Sequence, residues 1–337
     1  MGSDLGSQKL IEGAFQGASD YQDVELILVG DPNSIQMTIE TLCASTENQK
    51  KIQSIPYSVI PSEDVILMTD DPLLIRKKTT SSMRIALNLL ADGKGDALIS
   101  CGNTGALQTG ATLFVKRIEG IHRAAIGAIL PMDTPLLLLD SGANLVVTPE
   151  YLLQFAVMGS VYMEKLFGIE NPRIGLLNIG IEEKKGTPLQ VESYQLLKSS
   201  GINFVGNIEG KDTPFSKCDL LITDGFTGNV FLKTVEGMGS YMLKLLKQVF
   251  YANTKTKLGA LLVKEQLSDL KIKMDARTYG GAPILGIQKP VIKAHGNSDD
   301  YAMKNAVRQA HRFVEAEVIN GIRQKLSTIT DLPERKS

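Results

Sequence analysis

The chain has no tryptophan, and only three cysteines and three histidines in 337 residues. Cys43, Cys101 and Cys218 are odd in number, far apart and free of any CxxC spacing. That excludes a disulfide framework and fits a reducing, cytoplasmic setting. His122, His295 and His311 stand alone, with no His/Cys/acidic cluster at ligand spacing, so no metal and no metal-held cofactor is expected. Charge of one sign is also lacking. The 36 basic and 37 acidic side chains leave a net charge of −1, and no long basic tract occurs, so nucleic acid is not an expected partner. No apolar run approaches the roughly 20 residues of a membrane-spanning helix, and the N-terminus has no signal-peptide pattern. A Walker A loop, a GxGxxG after the first strand and a GxSxG elbow are all missing, which argues against P-loop, ordinary dinucleotide and nucleophile-elbow chemistry. What remains is a 43% hydrophobic chain, long enough for one large or two medium domains.

Short apolar runs alternate with amphipathic segments. Glu25–Val29, Ala97–Ile99, Ala124–Leu130, Leu136–Leu139, Arg173–Leu177, Asn203–Val205, Leu220–Thr223 and Val291–Ile292 read as strands. Between them Gln8–Ala18, Asn33–Cys43, Met83–Ala91, Ala106–Arg117, Glu150–Phe167 and Leu189–Lys198 read as helices, with a last one over Tyr301–Lys325. Continuous apolar strands alternating with helices predict an α/β fold, a mostly parallel, doubly wound sheet covered on both faces. Only Asp331–Ser337 reads as a frayed tail. A helical excursion at 238–275 breaks the rhythm. Tyr241, Leu245 and Val249 recur at helical spacing, Leu258, Leu261, Leu262 and Val263 crowd together, and lysines are interspersed. It reads either as a hairpin packed into a dimer or domain core, or as a basic amphipathic surface touching membrane or an acidic partner.

Polar, glycine-bearing loops follow the strands. In open α/β sheets that is the ligand-binding edge. The turn Asp96–Gly105 runs from strand to helix N-terminus, a setting that favours an anion. Ser100–Gly105, Asn178–Gly186, Asp224–Asn229 and Lys293–Asp299 share one vocabulary of glycine with Asn, Thr, Ser, Asp, Lys or His. Gathered on one edge they predict a single cleft for phosphate and an electrophilic substrate. Cys101 near a helix start is a possible nucleophile, but no base beside it is identifiable, and a buried filler is the better reading. His295 is the best acid/base or donor among the three histidines, because it lies in a polar loop after a strand.

The motifs Ser100-Cys-Gly-Asn-Thr-Gly-Ala106, Leu139-Asp-Ser-Gly-Ala-Asn144, Leu177–Gly186, Thr223–Val230 and Lys293–Asp299 resemble the signatures of the PlsX family of bacterial phosphate acyltransferases. So do Arg76-Lys77-Lys78 with Ser81-Ser82, and Tyr279-Gly-Gly-Ala282. The resemblance runs in order over nearly the whole chain. It implies a fold of the phosphotransacetylase/isopropylmalate-dehydrogenase-like type, with residues 1–330 as one phosphate acyltransferase domain. It further implies a homodimer without cofactor, acyl-ACP and inorganic phosphate as substrates, and acyl phosphate as product for glycerol-3-phosphate acylation. A cytoplasmic enzyme in peripheral contact with membrane, handing over to a membrane glycerol-3-phosphate acyltransferase, is also implied. On this reading Ser100, Asn103, Thr104 and Gly105 bind phosphate. Lys293, His295, Lys184 and Asn229 are catalytic, with Lys293 and His295 as oxyanion donors or as acid for the leaving thiolate. Asn178, Lys185, Asp224 and Thr227 hold substrate. Arg76, Lys77, Lys78, Leu261 and Leu262 are partner or membrane contacts. One departure stands out. The family opens on a strand leading into Asp-Ala-Met-Gly-Gly-Asp, whereas Met1-Gly-Ser-Asp4 matches only the end of that motif. Three alternatives stay open: acyl-CoA as donor, a non-catalytic membrane scaffold, and an NAD(P)-linked decarboxylating dehydrogenase on a related fold.

Overall fold

The computed structural model describes residues 6–44, 49 and 52–328; the Met1–Asp4 motif and the Asp331–Ser337 tail lie outside them. The first half runs α1 (Ser7–Ala18), β1 (Leu26–Gly30), α2 (Pro32–Leu42), β2 (Tyr57–Pro61), α3 (Ser82–Ala91), β3 (Leu98–Ser100), α4 (Thr104–Gly110), β4 (Ala125–Pro131) and β5 (Pro135–Leu139). It continues with α5 (Pro149–Phe167), β6 (Ile174–Asn178), α6 (Pro188–Ser199), β7 (Phe204–Glu209), β8 (Leu220–Ile222) and α7 (Gly225–Tyr251). The last part is α8 (Thr254–Leu262), α9 (Lys264–Lys273), β9 (Ala282–Leu285), β10 (Val291–Lys293), α10 (Asp300–Glu315) and α11 (Val318–Ser327).

The main sheet has the order β3-β10-β9-β4-β5-β8-β6-β7, and β1 and β2 form a separate parallel pair. Four of its seven pairings are parallel: β3 with β10, β5 with β8, β8 with β6 and β6 with β7. The α/β fold with a mainly parallel sheet is therefore present. Its centre differs from a uniform doubly wound sheet, because β9 runs against both β10 and β4, and β4 runs against β5. The link from β4 to β5 is only Met132-Asp133-Thr134, too short for a parallel crossover, so a hairpin is forced. As a result β5, β8, β6 and β7 point opposite to β3 and β10.

The largest core cluster lies between α5 and the β5–β8–β6 strands. Thirteen of the 19 residues of α5 are buried, apolar on nearly every side, as expected of a helix enclosed by sheet and helices. Gly159 lets it close on the sheet, since a Cβ there would meet Leu220 at 2.6 Å. Tyr162, fully buried, accepts a hydrogen bond from Gln309 Nε2 at 2.8 Å, and burial pushes its phenol up to about 12.

The excursion is helical, as its spacing predicts, but it does not pack into the domain core. α7 is 27 residues long and carries its far end past the sheet, and neither α8 nor α9 buries a residue. Of the two readings for 238–275, packing into this domain's core is thereby overturned.

Candidate active site

Strand direction decides which of the four loops can meet. Ser100–Gly105 and Lys293–Asp299 leave adjacent parallel strands at one edge of the sheet. Asn178–Gly186 and Asp224–Asn229 leave β6 and β8 at the opposite edge. Five strand spacings separate β10 from β6, about 24 Å at ~4.8 Å each. One phosphate cannot bridge that gap, so the single cleft expected from the shared loop vocabulary is corrected to two loop groups.

At the first edge Lys293 closes β10 opposite Ser100. Lys293 is 9% exposed, and its Nζ donates to the Ala294 carbonyl at 2.5 Å. A buried ammonium is costly unless acceptors or an anion surround it. Next to it Cys101 is buried; desolvation raises its thiol pKa, while the Lys293 charge and the Ser298 hydroxyl pull the other way. The thiol therefore stays protonated at neutral pH, consistent with a filler.

The four residues read as a phosphate set divide. Asn103 is committed to structure. Its Oδ1 accepts from Ala106 N at 3.0 Å, and its Nδ2 donates to the carbonyls of Leu67, Met68 and Asp70 at 3.0–3.2 Å. It caps α4 and ties down the preceding loop, and it is corrected from ligand to anchor. Gly105 serves close approach, since a Cβ there would sit 2.7 Å from Pro72. Ser100 Oγ accepts from Gly102 N at 3.2 Å and keeps its own hydrogen to donate. Thr104 begins α4, half-buried.

The opposite edge is an interlock. Asp140, fully buried, receives the N–H groups of Ile126, Gly142, Ala143 and Asn144 and the Asn144 side-chain amide at 2.7–3.1 Å. Gly225 N donates to Asn144 O at 2.7 Å, and Asn229 Nδ2 donates to Ser141 O at 3.0 Å. Asp224 caps α7, accepting from Thr227 N and Thr227 Oγ1 at 2.8 and 2.7 Å. A Cβ on Gly228 would stand 1.9 Å from Asp140 O. Of the side chains expected on substrate or in catalysis, Asn229 thus fastens α7 to the Asp140–Asn144 turn, while Asp224 and Thr227 bond each other at the start of the helix. Asn178 similarly organises its own loop, donating to Lys185 O at 3.0 Å and accepting from Ile179 N at 2.8 Å. Lys184 and Lys185 are exposed, far from Lys293.

With the geometry in place, the chain can be set beside known proteins. A family profile described as fatty acid synthesis protein matches residues 1–321. A phosphate acyltransferase of Thermoanaerobacter pseudethanolicus is 42% identical over 332 residues, covering 98% of this chain and 97% of that protein. Those of Bacillus licheniformis and Clostridium acetobutylicum are 42% and 40% identical, again covering 98% of this chain and 98% of each relative. This chain belongs to the phosphate acyltransferase family. Among solved structures, a phosphotransacetylase from Streptococcus pyogenes superposes with a TM-score of 0.52 at 15% identity, covering 94% of this chain and 92% of that one. A branched-chain phosphotransacylase from Enterococcus faecalis gives 0.50 at 16%, covering 86% and 99%. At these identities the likeness is one of fold.

For a phosphate acyltransferase, the β3/β10 edge offers the more suitable chemistry: a buried cation, a hydroxyl and His295. Burial, then the charges of Lys233 and Lys293, hold the His295 imidazole below its ordinary value of 6.5. It is neutral at pH 7, which favours the donor or base role over the acid. The sign is fixed by that depression. His295 takes up a proton only as pH falls below 6.5, and folding stability falls in the same window because the unfolded chain binds the proton more readily. We predict an acid limb in kcat at saturating phosphate with its midpoint below 6.5, absent in His295→Gln. A limb that persists in the variant assigns it to another group.

Among the partner residues, Arg76 and Lys77 are exposed. Lys78 is not available: its Nζ is clasped by Asp64 at 3.2 Å, Asp70 at 3.4 Å and the Val65 carbonyl at 2.8 Å. It is corrected to a loop tie. Asp140, which organises the second edge, had no assigned role; its sequence signals were its place directly after an apolar strand and within the Leu139–Asn144 motif.

Proposed function

We propose that the chain transfers a long-chain acyl group from acyl-ACP to inorganic phosphate, giving acyl phosphate for glycerol-3-phosphate acylation. A phosphate oxygen attacks the thioester carbonyl; the C–O bond forms, the C–S bond breaks, and the thiolate leaves and takes up a proton. Phosphate is itself the nucleophile, so no covalent enzyme intermediate is needed. The protein's task is to hold phosphate against the carbonyl and stabilise the developing oxyanion, where each preorganised donor contributes about 3 kcal/mol. Lys293, Ser100 and neutral His295 take those roles, with Thr104 at the start of α4. The observation that carries the reading is the full-length match to phosphate acyltransferases. Purified protein given acyl-ACP and phosphate should release ACP thiol and a hydroxylamine-trapped acyl phosphate in equal amounts. Thiol release without acyl phosphate, or turnover with acyl-CoA alone, overturns it.

ACP is acidic, and Arg76 and Lys77 supply exposed positive charge beside the Pro72–Arg76 turn that packs on α4. Arg76→Glu should raise KM for acyl-ACP about tenfold and leave KM for phosphate unchanged; equal effects on both would remove the docking role.

Peripheral membrane contact through α8 is part of this proposal. No helix among the described residues is long and apolar enough to cross a membrane. Leu258, Leu261 and Leu262 are 62–80% exposed, with Lys255, Lys257 and Lys264 around them. Leu261→Glu should abolish co-sedimentation with anionic vesicles while turnover on soluble acyl-ACP is retained. Undiminished sedimentation rules out α8 as the contact.

A further inference from the structure

α7 starts in the second loop group and heads for the first. Its start is fastened to the Asp140–Asn144 turn. Asn229 Nδ2 donates to Ser141 O at 3.0 Å, and a Cβ on Gly142 would stand 2.8 Å from that same nitrogen. Beyond it Phe231, Leu232 and Val235 pack against the cluster that holds Leu130, Leu136 and Leu138 of the β4–β5 hairpin. β4 is antiparallel to β9 and β9 to β10, so β4 ends at the edge where β10 ends. A helix laid over that hairpin, and begun at the opposite edge, approaches Lys293 and His295.

α4 gives an independent measure of how far it has come. That helix starts at Thr104 on the first edge, and its Gln108 Nε2 donates to Ala143 O at 3.2 Å, on the same turn that Asn229 holds. Thr104 lies four residues before Gln108 on α4, and Lys233 four residues after Asn229 on α7, each about 6 Å of helical rise. α4 runs toward the shared turn and α7 away from it. Thr104 and Lys233 are therefore displaced from it toward the same edge and by the same amount.

The electrostatics of His295 agree with that placement. The charges that act on it are Lys233, Lys293 and Glu236, with Asn297 of its own loop as a hydrogen-bond partner. Two of the three charges belong to α7. A helix that led elsewhere would supply neither.

Lys233 Nζ pairs with Glu236 at 2.7 Å, and the two side chains are 51% and 40% exposed. Such an i,i+3 pair stabilises a helix little, and a solvated charge pair is the plain alternative. Charge balance at the site favours a larger role. Lys293 supplies one buried positive charge and His295 is neutral at pH 7, whereas phosphate carries more than a single negative charge there. A second cation is wanted, on the side from which phosphate enters. Lys233 has the flexible stem and the open position for it.

We propose that Lys233 is a second cation of the phosphate site, delivered by α7 to the solvent side of Lys293 and His295, with Glu236 holding its ammonium while the site is empty. The proposal deepens the acyl-transfer reading and rests on it: Lys293 is the buried contact of the phosphate, and Lys233 the outer one.

The test begins on the resting protein. Imidazole NMR follows His295, whose signal is identified by its loss in His295→Gln. Lys233→Met should move the His295 titration up toward its ordinary value, because a neighbouring cation is removed, and Glu236→Gln should move it further down. Inorganic phosphate titrated into the resting protein should bind Lys233→Met about tenfold more weakly. KM for phosphate should rise to match, with KM for acyl-ACP unchanged. Lys233→Arg should keep the His295 titration and most of the phosphate affinity. Lys211→Met, which breaks the exposed Lys211–Glu209 pair of 2.9 Å, should alter neither. An unchanged His295 titration in Lys233→Met overturns the proposal, and so does an unchanged phosphate affinity. Both readings need no acyl donor. Phosphate held through Lys233 without any acyl transfer would count against the acyl-transfer reading alone.

Discussion

Asp140→Ala is expected to lower the free energy of unfolding by about 4 kcal/mol, read as a shift of the urea midpoint. The carboxylate gathers five N–H donors, all at hydrogen-bond distance and in a fully buried setting. Alanine removes every acceptor at once. Water cannot replace them without opening the turn, and each stranded donor costs about 1–3 kcal/mol. Relaxation of the turn caps the total well below the sum of five. The consequence spreads because the Asp140–Asn144 turn is also the anchor for α7 through Gly225 and Asn229. Asp140→Asn separates charge from shape: it keeps one acceptor oxygen but turns an NH₂ group toward donors, and should lose most of the same stability. If Asp140→Ala unfolds within about 1 kcal/mol of the parent, the turn is held by something other than this carboxylate.

The same interlock shows why part of the fold could be read from sequence and part of the site could not. Strands and helices followed from alternation of apolar runs with helical spacing, but Asp224–Asn229, read as a loop, proves to be the cap and first turn of α7, which begins at Gly225. Strand direction was not visible in that pattern. β9 is the four residues Ala-Pro-Ile-Leu, whose proline and flanking glycines read as a turn, yet it reverses the sheet beside β10. The second reversal had a signal, since three residues between β4 and β5 leave room only for a hairpin. The loops misled for a physical reason. A ligand loop and an interlocked turn both need hydrogen-bonding side chains and glycines for close approach. Asn103, Asp224 and Asn229 have that chemistry, but they bond backbone atoms 3 to 88 residues away in the chain, and the Thr227 hydroxyl bonds the Asp224 carboxylate. Composition cannot say whether an amide will meet a phosphate or a carbonyl. Lys293 differs because its register opposite Ser100 and its burial can only be seen once β3 and β10 are paired.

Lys293→Met is expected to cut kcat/KM for phosphate by 100- to 1,000-fold, about 3–4 kcal/mol of transition-state stabilisation. Methionine keeps the length of the stem and its packing beside Cys101, and removes only the charge. Replacing a buried ion by a well-packed apolar side chain is commonly neutral or stabilising, so the thermal midpoint should hold or rise. That combination excludes unfolding as the cause of lost activity. It also separates two roles for the ammonium. If Lys293 only braces the β10 end through the Ala294 carbonyl, the variant should lose stability and retain turnover. If it faces the reacting phosphate, the loss should appear at saturating acyl-ACP as a phosphate-dependent defect, with KM for acyl-ACP little changed. Lys293→Arg tests geometry at constant charge: the planar guanidinium cannot occupy a site shaped for a compact ammonium, and only partial recovery is expected. Turnover of Lys293→Met within threefold of the parent would move the reaction away from the β3/β10 edge, leaving the exposed lysines at Lys184 and Lys185 as the cations to examine for phosphate.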